Sequence, residues 1–260
     1  MDYTQVLISR DGDVSTITLN NPGKRNALSL AMMKEIAAAM QEVGATDTLA
    51  VVLAANGPVF SAGHNLGEMV DIELPAARQL FDTCVTMMDA IQQIPQPVIA
   101  RVHALAAAGG CQLALSCDLV VAAESASFSI PGIKRGLFCH TPLVAVGRNV
   151  SRKRAFEMAI TGDSVPARDA ADWGMINKAV PDDQLDAAVD DLVHRIIDDG
   201  SPYGRAMGKK TFYDQIGLPQ PQAYDLAAEA VVLNALLPDA QEGFKSFVEK
   251  RPPKYTSKPN

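Results

Sequence analysis

Short runs of aliphatic and β-branched residues alternate with segments of helical period as far as Pro181, and beyond it only the helical period remains. Such alternation favours an α/β fold with parallel strand pairing, since a parallel neighbour is reached only through a long, usually helical, crossover. Gln5 to Arg10, the turn Asp11-Gly12-Asp13 and the alternating run Val14 to Leu19 predict an opening hairpin, because Asp-Gly supplies the positive φ angles of a tight turn. Ser29 then caps a helix with Met32, Ile36, Met40 and Val43 on its apolar face, ending at Gly44. Leu49 to Ala55 follows as a buried run, and a Gly57-Pro58 turn leads towards a helix with Leu80, Cys84, Met88, Ile91 and Ile94 on one face. Val98 to Val102 and Leu119 to Ala123 read as further buried strands, separated by the small-residue stretch Ala104 to Cys117.

After Pro181 the residues Leu185, Val189, Leu192 and Ile196 form the stripe of one helix, and a last helix runs near Asp239 to Lys250. A boundary placed near residue 200 divides the chain into a core, 1–200, and a helical module, 201–260. Within that module Leu226 to Leu237 is apolar around nearly its whole circumference, as a helix buried against another subunit would be.

At 260 residues, 48% of them apolar, the chain is long enough to bury a large aliphatic core without disulfide support. Cys84, Cys111, Cys117 and Cys139 form no CxxC pair, and His64, His103, His140 and His194 are too scattered for a zinc site, so reduced thiols and no structural metal are expected. A net charge of −7 and the lack of a basic stripe argue against a nucleic-acid surface, while leaving room for a local basic site for one phosphate. The opening MDYTQVLISRDG resembles no leader and no apolar run reaches the roughly 18 residues of a membrane span, so a cytoplasmic location and no membrane contact are the default expectation. A P-loop is excluded because Gly204 to Gly208-Lys209 is one residue short, and neither GxGxxG nor GxSxG occurs. The AAAGGC stretch taken alone reads as close helix packing.

In their order, four segments change that reading: LNNPGKRNALS (Leu19 to Ser29), GPVFSAGHNLGEM (Gly57 to Met69), HALAAAGGCQLALSCDLVVAA (His103 to Ala123) and TGDSVPARDAADWGMINKAVP (Thr161 to Pro181). With DAQEGFKSFVEKRPPKY (Asp239 to Tyr255) they resemble the enoyl-CoA hydratase and isomerase, or crotonase, superfamily over nearly the whole chain. The resemblance implies a crotonase-like spiral of ββα units, a C-terminal helical module that builds a homotrimer or a dimer of trimers, and an acyl-CoA site between subunits. Coenzyme A then enters as part of the substrate, and no separate cofactor is expected.

The resemblance also implies that the thioester carbonyl is held by the backbone N–H groups of His64 and Gly109, an oxyanion hole. Fixed N–H donors stabilise the charge that develops on that oxygen without reorganising, and the Gly109 donor gains from the start of a short helix, Gly109 to Leu115. For His64 the relevant group is the amide; its imidazole is a pocket wall, with a direct acid or base role as the lesser alternative. Lys24, Arg25, Ala27, Ala62, Gly63, Asn65 and Leu66 are implied to line the pantetheine and nucleotide, with Gly110, Gln112, Pro131, Gly132 and Leu137 beside the acyl group. Phe247 and Lys250 match C-terminal helix contacts to the nucleotide.

Where hydratases of the superfamily use two glutamates, Gln112 and Gly132 stand here, and neither takes a proton at neutral pH. Two-glutamate hydration is therefore not expected. Dienoyl-CoA isomerases and chlorobenzoyl-CoA dehalogenases place a working aspartate where His140 lies, beside Cys139, so His140 becomes the candidate proton carrier and Cys139 a candidate nucleophile. Ile130 stands where dihydroxynaphthoyl-CoA synthases hold bicarbonate, which disfavours a borrowed base. GLFCHTP and SAGHNLGEM are most similar to the enoyl-CoA hydratase domain-containing 3 group. Two functions remain open: an acyl-CoA enzyme with an unusual acid or base, performing double-bond migration, slow hydration or thioester cleavage, and a protein that binds acyl-CoA without turning it over.

Overall fold

The opening hairpin forms as its sequence dictates: β1 (Val6–Asp11) and β2 (Val14–Leu19) pair antiparallel with Asp11 opposite Val14, and Gly12 turns at a φ of 54°. The protein is described from a computed structural model that covers residues 3–198 and 200–259. Ser29 starts α1 (Leu30–Gly44), its hydroxyl accepting the Met32 N–H at 3.1 Å. Met32, Ile36, Met40 and Val43 are all buried, as the period requires. Gly44 differs from expectation in its reason: it is the last helical residue, not a left-handed cap, and a Cβ there would meet the Ile94 side chain.

β3 (Ala50–Ala55) follows, then α2 (Leu74–Gln93), β4 (Val98–Val102), β5 (Ala106–Ala107), α3 (Gly109–Ser116) and β6 (Leu119–Ala123). The next stretch adds β7 (Ser127–Ser129), α4 (His140–Asn149), α5 (Arg152–Thr161), β8 (Ser164–Pro166), α6 (Ala167–Asp172) and β9 (Lys178–Val180). Four helices complete the chain: α7 (Leu185–Ile197), α8 (Pro202–Gln215), α9 (Gln220–Ala235) and α10 (Pro238–Val248).

The main sheet has the order β1-β2-β3-β4-β6-β9, parallel throughout except for the opening hairpin, and β5, β7 and β8 make a smaller second sheet. Alternate side chains of a strand face opposite ways, and the main sheet uses both faces. Val51, Leu53 and Ala55 of β3 join the core with Met33, Ile36, Met87 and Ile91 of α1 and α2. Ala50, Val52 and Ala54 join a separate core with Leu185, Val189 and Val193 of α7.

A buried polar knot ties α8 to the rest. Lys209 Nζ lies 2.7 Å from Asp118 Oδ2 and donates to the carbonyls of Ile91 and Gln96 at 2.8 Å each. Asp118 also accepts the Tyr213 hydroxyl at 2.7 Å and the Val98 N–H at 2.6 Å. Burial pulls the Lys209 pKa down, and the Asp118 carboxylate opposes that shift. By contrast α9 buries none of its residues in this chain, and Val231, Val232, Leu233 and Leu236 stand exposed. Among the described residues no helix is long and apolar enough to cross a membrane.

Candidate functional site

Two loops meet at the C-terminal edge of the main sheet, and backbone hydrogen bonds fix them. Residues 62–65 lie along residues 25–28: the Ala62 N–H donates to Arg25 O at 3.0 Å, Leu28 N–H to Gly63 O at 2.8 Å and Asn65 N–H to Leu28 O at 3.1 Å. This lattice places Lys24, Arg25 and Ala27 beside Ala62, Gly63, Asn65 and Leu66, with Lys24, Arg25, Ala62 and Leu66 exposed. Asn26, part of the Lys24 to Ala27 segment implied to line the ligand, is the buried hub of the turn. Its φ is 48°, its amide donates to the carbonyls of Asn56, Val59 and Phe60, and its Oδ1 accepts the Asn21 N–H. Asparagine tolerates that left-handed geometry and satisfies four backbone groups at once.

The second loop rests on the first. Ser61 O accepts the Ala107 N–H at 2.9 Å, while Ser61 Oγ donates to Asn26 O at 2.8 Å and accepts the Gly63 N–H at 3.2 Å. Gly63, at a φ of 84°, is wedged so tightly that a Cβ would stand 2.7 Å from Ala107 O and 2.9 Å from Gly109 N. Gly110 backs onto Ser61 in the same way. Ala108 carries the strain of this junction at φ 49° and ψ −118°, a region that costs a non-glycine residue about 1–3 kcal/mol. It is held there from both sides, by its N–H to Ser129 O at 2.8 Å and by the Gln112 N–H to its carbonyl at 3.0 Å.

The outcome is a pair of amides without work inside the protein. Gly109 is the first residue of α3, so its N–H has no intrahelical acceptor, and neither it nor the His64 N–H finds a protein partner among the described residues. A Cβ on Gly109 would lie 3.0 Å from His64 Nδ1 and 3.1 Å from Leu28 Cδ1, so the His64 ring lies over Gly109. The ring also meets Phe81 of α2, centroids 5.4 Å apart. Its Nε2 is shielded from solvent and unpartnered, which costs about 1–3 kcal/mol. Burial holds the imidazole pKa below its ordinary value against the weaker pull of Glu68.

A profile described as Enoyl-CoA hydratase/isomerase matches residues 9–258. The chain belongs to the enoyl-CoA hydratase/isomerase family. Enoyl-CoA hydratase domain-containing protein 3, mitochondrial, of Mus musculus is 43% identical over 249 residues, covering 94% of this chain and 81% of that protein. The 2,3-dehydroadipyl-CoA hydratase of Escherichia coli is 31% identical over 261 residues, covering 97% of this chain and 98% of that one. The crystal structure of an enoyl-CoA hydratase from Mycobacterium smegmatis superposes with a TM-score of 0.94 at 43% identity, over 98% of this chain and 100% of that one. The crotonase-like α/β fold is thereby established.

The mouse relative's name also overturns the cytoplasmic expectation. Sorting segments are processed apart from the fold, so the residues that build a family member carry no address, and a default drawn from them had no physical basis.

Within this hydratase/isomerase framework the chemical positions are unusual. Gln112 is buried on α3, its Oε1 facing the Cys84 thiol at 3.9 Å. Pro131 and Gly132 lie half-buried in a 3-10 turn, and the space a side chain at 132 would need is filled by Leu137 O and by Cys139 Sγ, the latter 2.7 Å from the would-be Cβ. Cys139 Sγ accepts the Gly132 N–H at 3.2 Å, and burial pushes its thiol pKa up, which suits a packing group better than a nucleophile. Leu137 is exposed, and His140 is exposed at the start of α4 with its ring 5.1 Å from Phe138. Phe247 and Lys250 stand exposed at the end of α10, which packs on α8 and α9.

Proposed function

We propose that this family member binds an acyl-coenzyme A thioester with its carbonyl oxygen between the N–H groups of His64 and Gly109, and that it turns the thioester over through an enolate-like state. The observation that carries the reading is the pair of unpartnered amides, locked side by side by Gly63 and the strained Ala108. Two fixed donors at a developing oxyanion are worth about 3–4 kcal/mol each by comparison with other enzymes. The start of α3 adds favourable potential. The family includes hydratases and isomerases, which supports an enzyme, while Gln112 and the filled space at Gly132 speak against two-glutamate water addition. Those two positions also favour a second reading, a protein that retains acyl-CoA without converting it.

The test incubates the protein with saturated, 2-enoyl and 3-enoyl coenzyme A thioesters and follows products by mass spectrometry, with calorimetry for binding. Conversion of any thioester supports the enzyme; tight retention with no product supports the second reading. In both cases Gly109→Val should abolish binding, because the added side chain meets the His64 ring and the buried Leu28, and circular dichroism on the same sample separates lost binding from lost fold. Unchanged affinity in that variant would remove the proposed carbonyl site.

A further inference from the structure

A histidine nitrogen shielded from water and left unpartnered, as Nε2 of the half-buried His64 is, is a feature that folding alone does not favour. The position of that ring gives the burial a use. Nδ1 lies on the Gly109 side of the ring, 3.0 Å from where a Cβ on Gly109 would stand, so a thioester oxygen at the Gly109 amide can bring its α carbon, two bonds away, within reach of that nitrogen. The other candidates for proton handling are engaged or unsuited. Glu68 accepts the Leu30 N–H at 2.8 Å and the Asn65 amide at 3.1 Å. The Cys84 thiol is pushed up to about 12 by burial, and Gln112 does not titrate. His140 is exposed on the Phe138 side of its loop.

We propose that His64, through Nδ1, exchanges a proton with the α carbon of the bound acyl thioester. The proposal rests on the thioester being held by the amides of His64 and Gly109. The step is balanced within the site: the α C–H bond breaks, its electron pair moves onto the carbonyl oxygen in the hole, and the proton forms an N–H bond at Nδ1. Return of a proton from the imidazolium restores the thioester, and no further reactant is consumed. A neutral ring is required at the outset, which burial provides; α2 presents Phe81 to the ring, α3 presents Gly109 and the loop before α1 presents Leu28. Glu68 is the one charged group among the described residues that acts on it. Because the oxyanion donor at this position is a backbone amide, changing the side chain removes the base and leaves the donor.

The experiment follows loss of the α-proton signal of butyryl-CoA in deuterium oxide by nuclear magnetic resonance, with calorimetry on the same samples. His64→Gln and His64→Ala should keep affinity within a few fold and lose about a hundredfold or more in exchange. Added imidazole should restore part of the rate to His64→Ala, and His194→Ala, at an exposed residue of α7, should exchange like the unmodified protein. A rate in the unmodified protein that rises with pH and levels off below the ordinary imidazole range, and in His64→Gln does not level off, supports a base at this residue. If the unmodified protein binds but shows no exchange, or His64→Gln exchanges at the full rate, the assignment to His64 is overturned and the thioester site stands. If no thioester binds, both fall together.

Discussion

His64 contributes two groups with opposite requirements. In the proposed function its amide must remain free and its ring must remain neutral, and burial of the ring makes stability depend on pH. In the unfolded chain the imidazole titrates near 6.5, and burial lowers that value in the fold. Between the two values the unfolded chain holds the extra proton, so stability is complete above about pH 6.5 and declines as pH falls towards the lowered value. Urea unfolding from about pH 8 to about pH 5 should show this decline, and His64→Gln should lack that portion of it. Identical pH dependence in the two proteins would mean that the ring is not buried as described.

Among elements, α8 is attached through a buried ion pair. Lys209 and Asp118 are 7% and 14% exposed, and the lysine is anchored by a carboxylate and two carbonyls. Asp118→Asn leaves a buried ammonium without its counter-charge, and breaking a buried pair in this way costs about 3–5 kcal/mol. The urea midpoint should fall accordingly, and Tyr213→Phe, which removes one hydrogen bond to the same carboxylate, should cost about 1 kcal/mol. A loss below 1 kcal/mol for Asp118→Asn would show that α8 is held by its apolar contacts alone.

The elements also divide by how far the sequence exposed them. β1 to β4, β6, α1, α2 and α7 were legible because each has an apolar pattern of one period and a turn or cap at its end, as at Ser29. Between Glu124 and Val180 the sequence assigned no individual element, and the structure shows why: β7, β8 and β9 have three residues each, and α5 buries only Ala155, Met158 and Ala159. At the site, the ordered motifs located the junction of Gly63 and Gly109, since glycine is demanded by close backbone approach. They did not disclose Phe81 or the Cys139 packing behind Gly132, which arise from tertiary contact. Asn26 stood inside a quoted motif, and its own type was the signal.

For the whole molecule, the open question of assembly lies on α8 and α9. Met207, Phe212, Ile216, Tyr224 and Val231 line a groove between them, and the exposed apolar side chains of α9 continue from it. Exposed apolar side chains gathered in this way suit an interaction surface. We expect an oligomer of threefold symmetry, measured by sedimentation at micromolar concentration, with Val231→Glu and Leu233→Glu together shifting it to monomers. A monomer in the unmodified protein would refute this, and the acyl-CoA experiments would then be read on a single chain.

The packing behind Gly132 also constrains the order in which this chain could change its chemistry. A carboxylate introduced at Gln112 needs one side-chain exchange, but a carboxylate introduced at position 132 meets Leu137 O and Cys139 Sγ. The loop from Leu137 to Cys139 would have to move first, and that movement brings no benefit until the second substitution follows. Two-carboxylate chemistry is therefore one exchange away at position 112 and barred by packing at position 132.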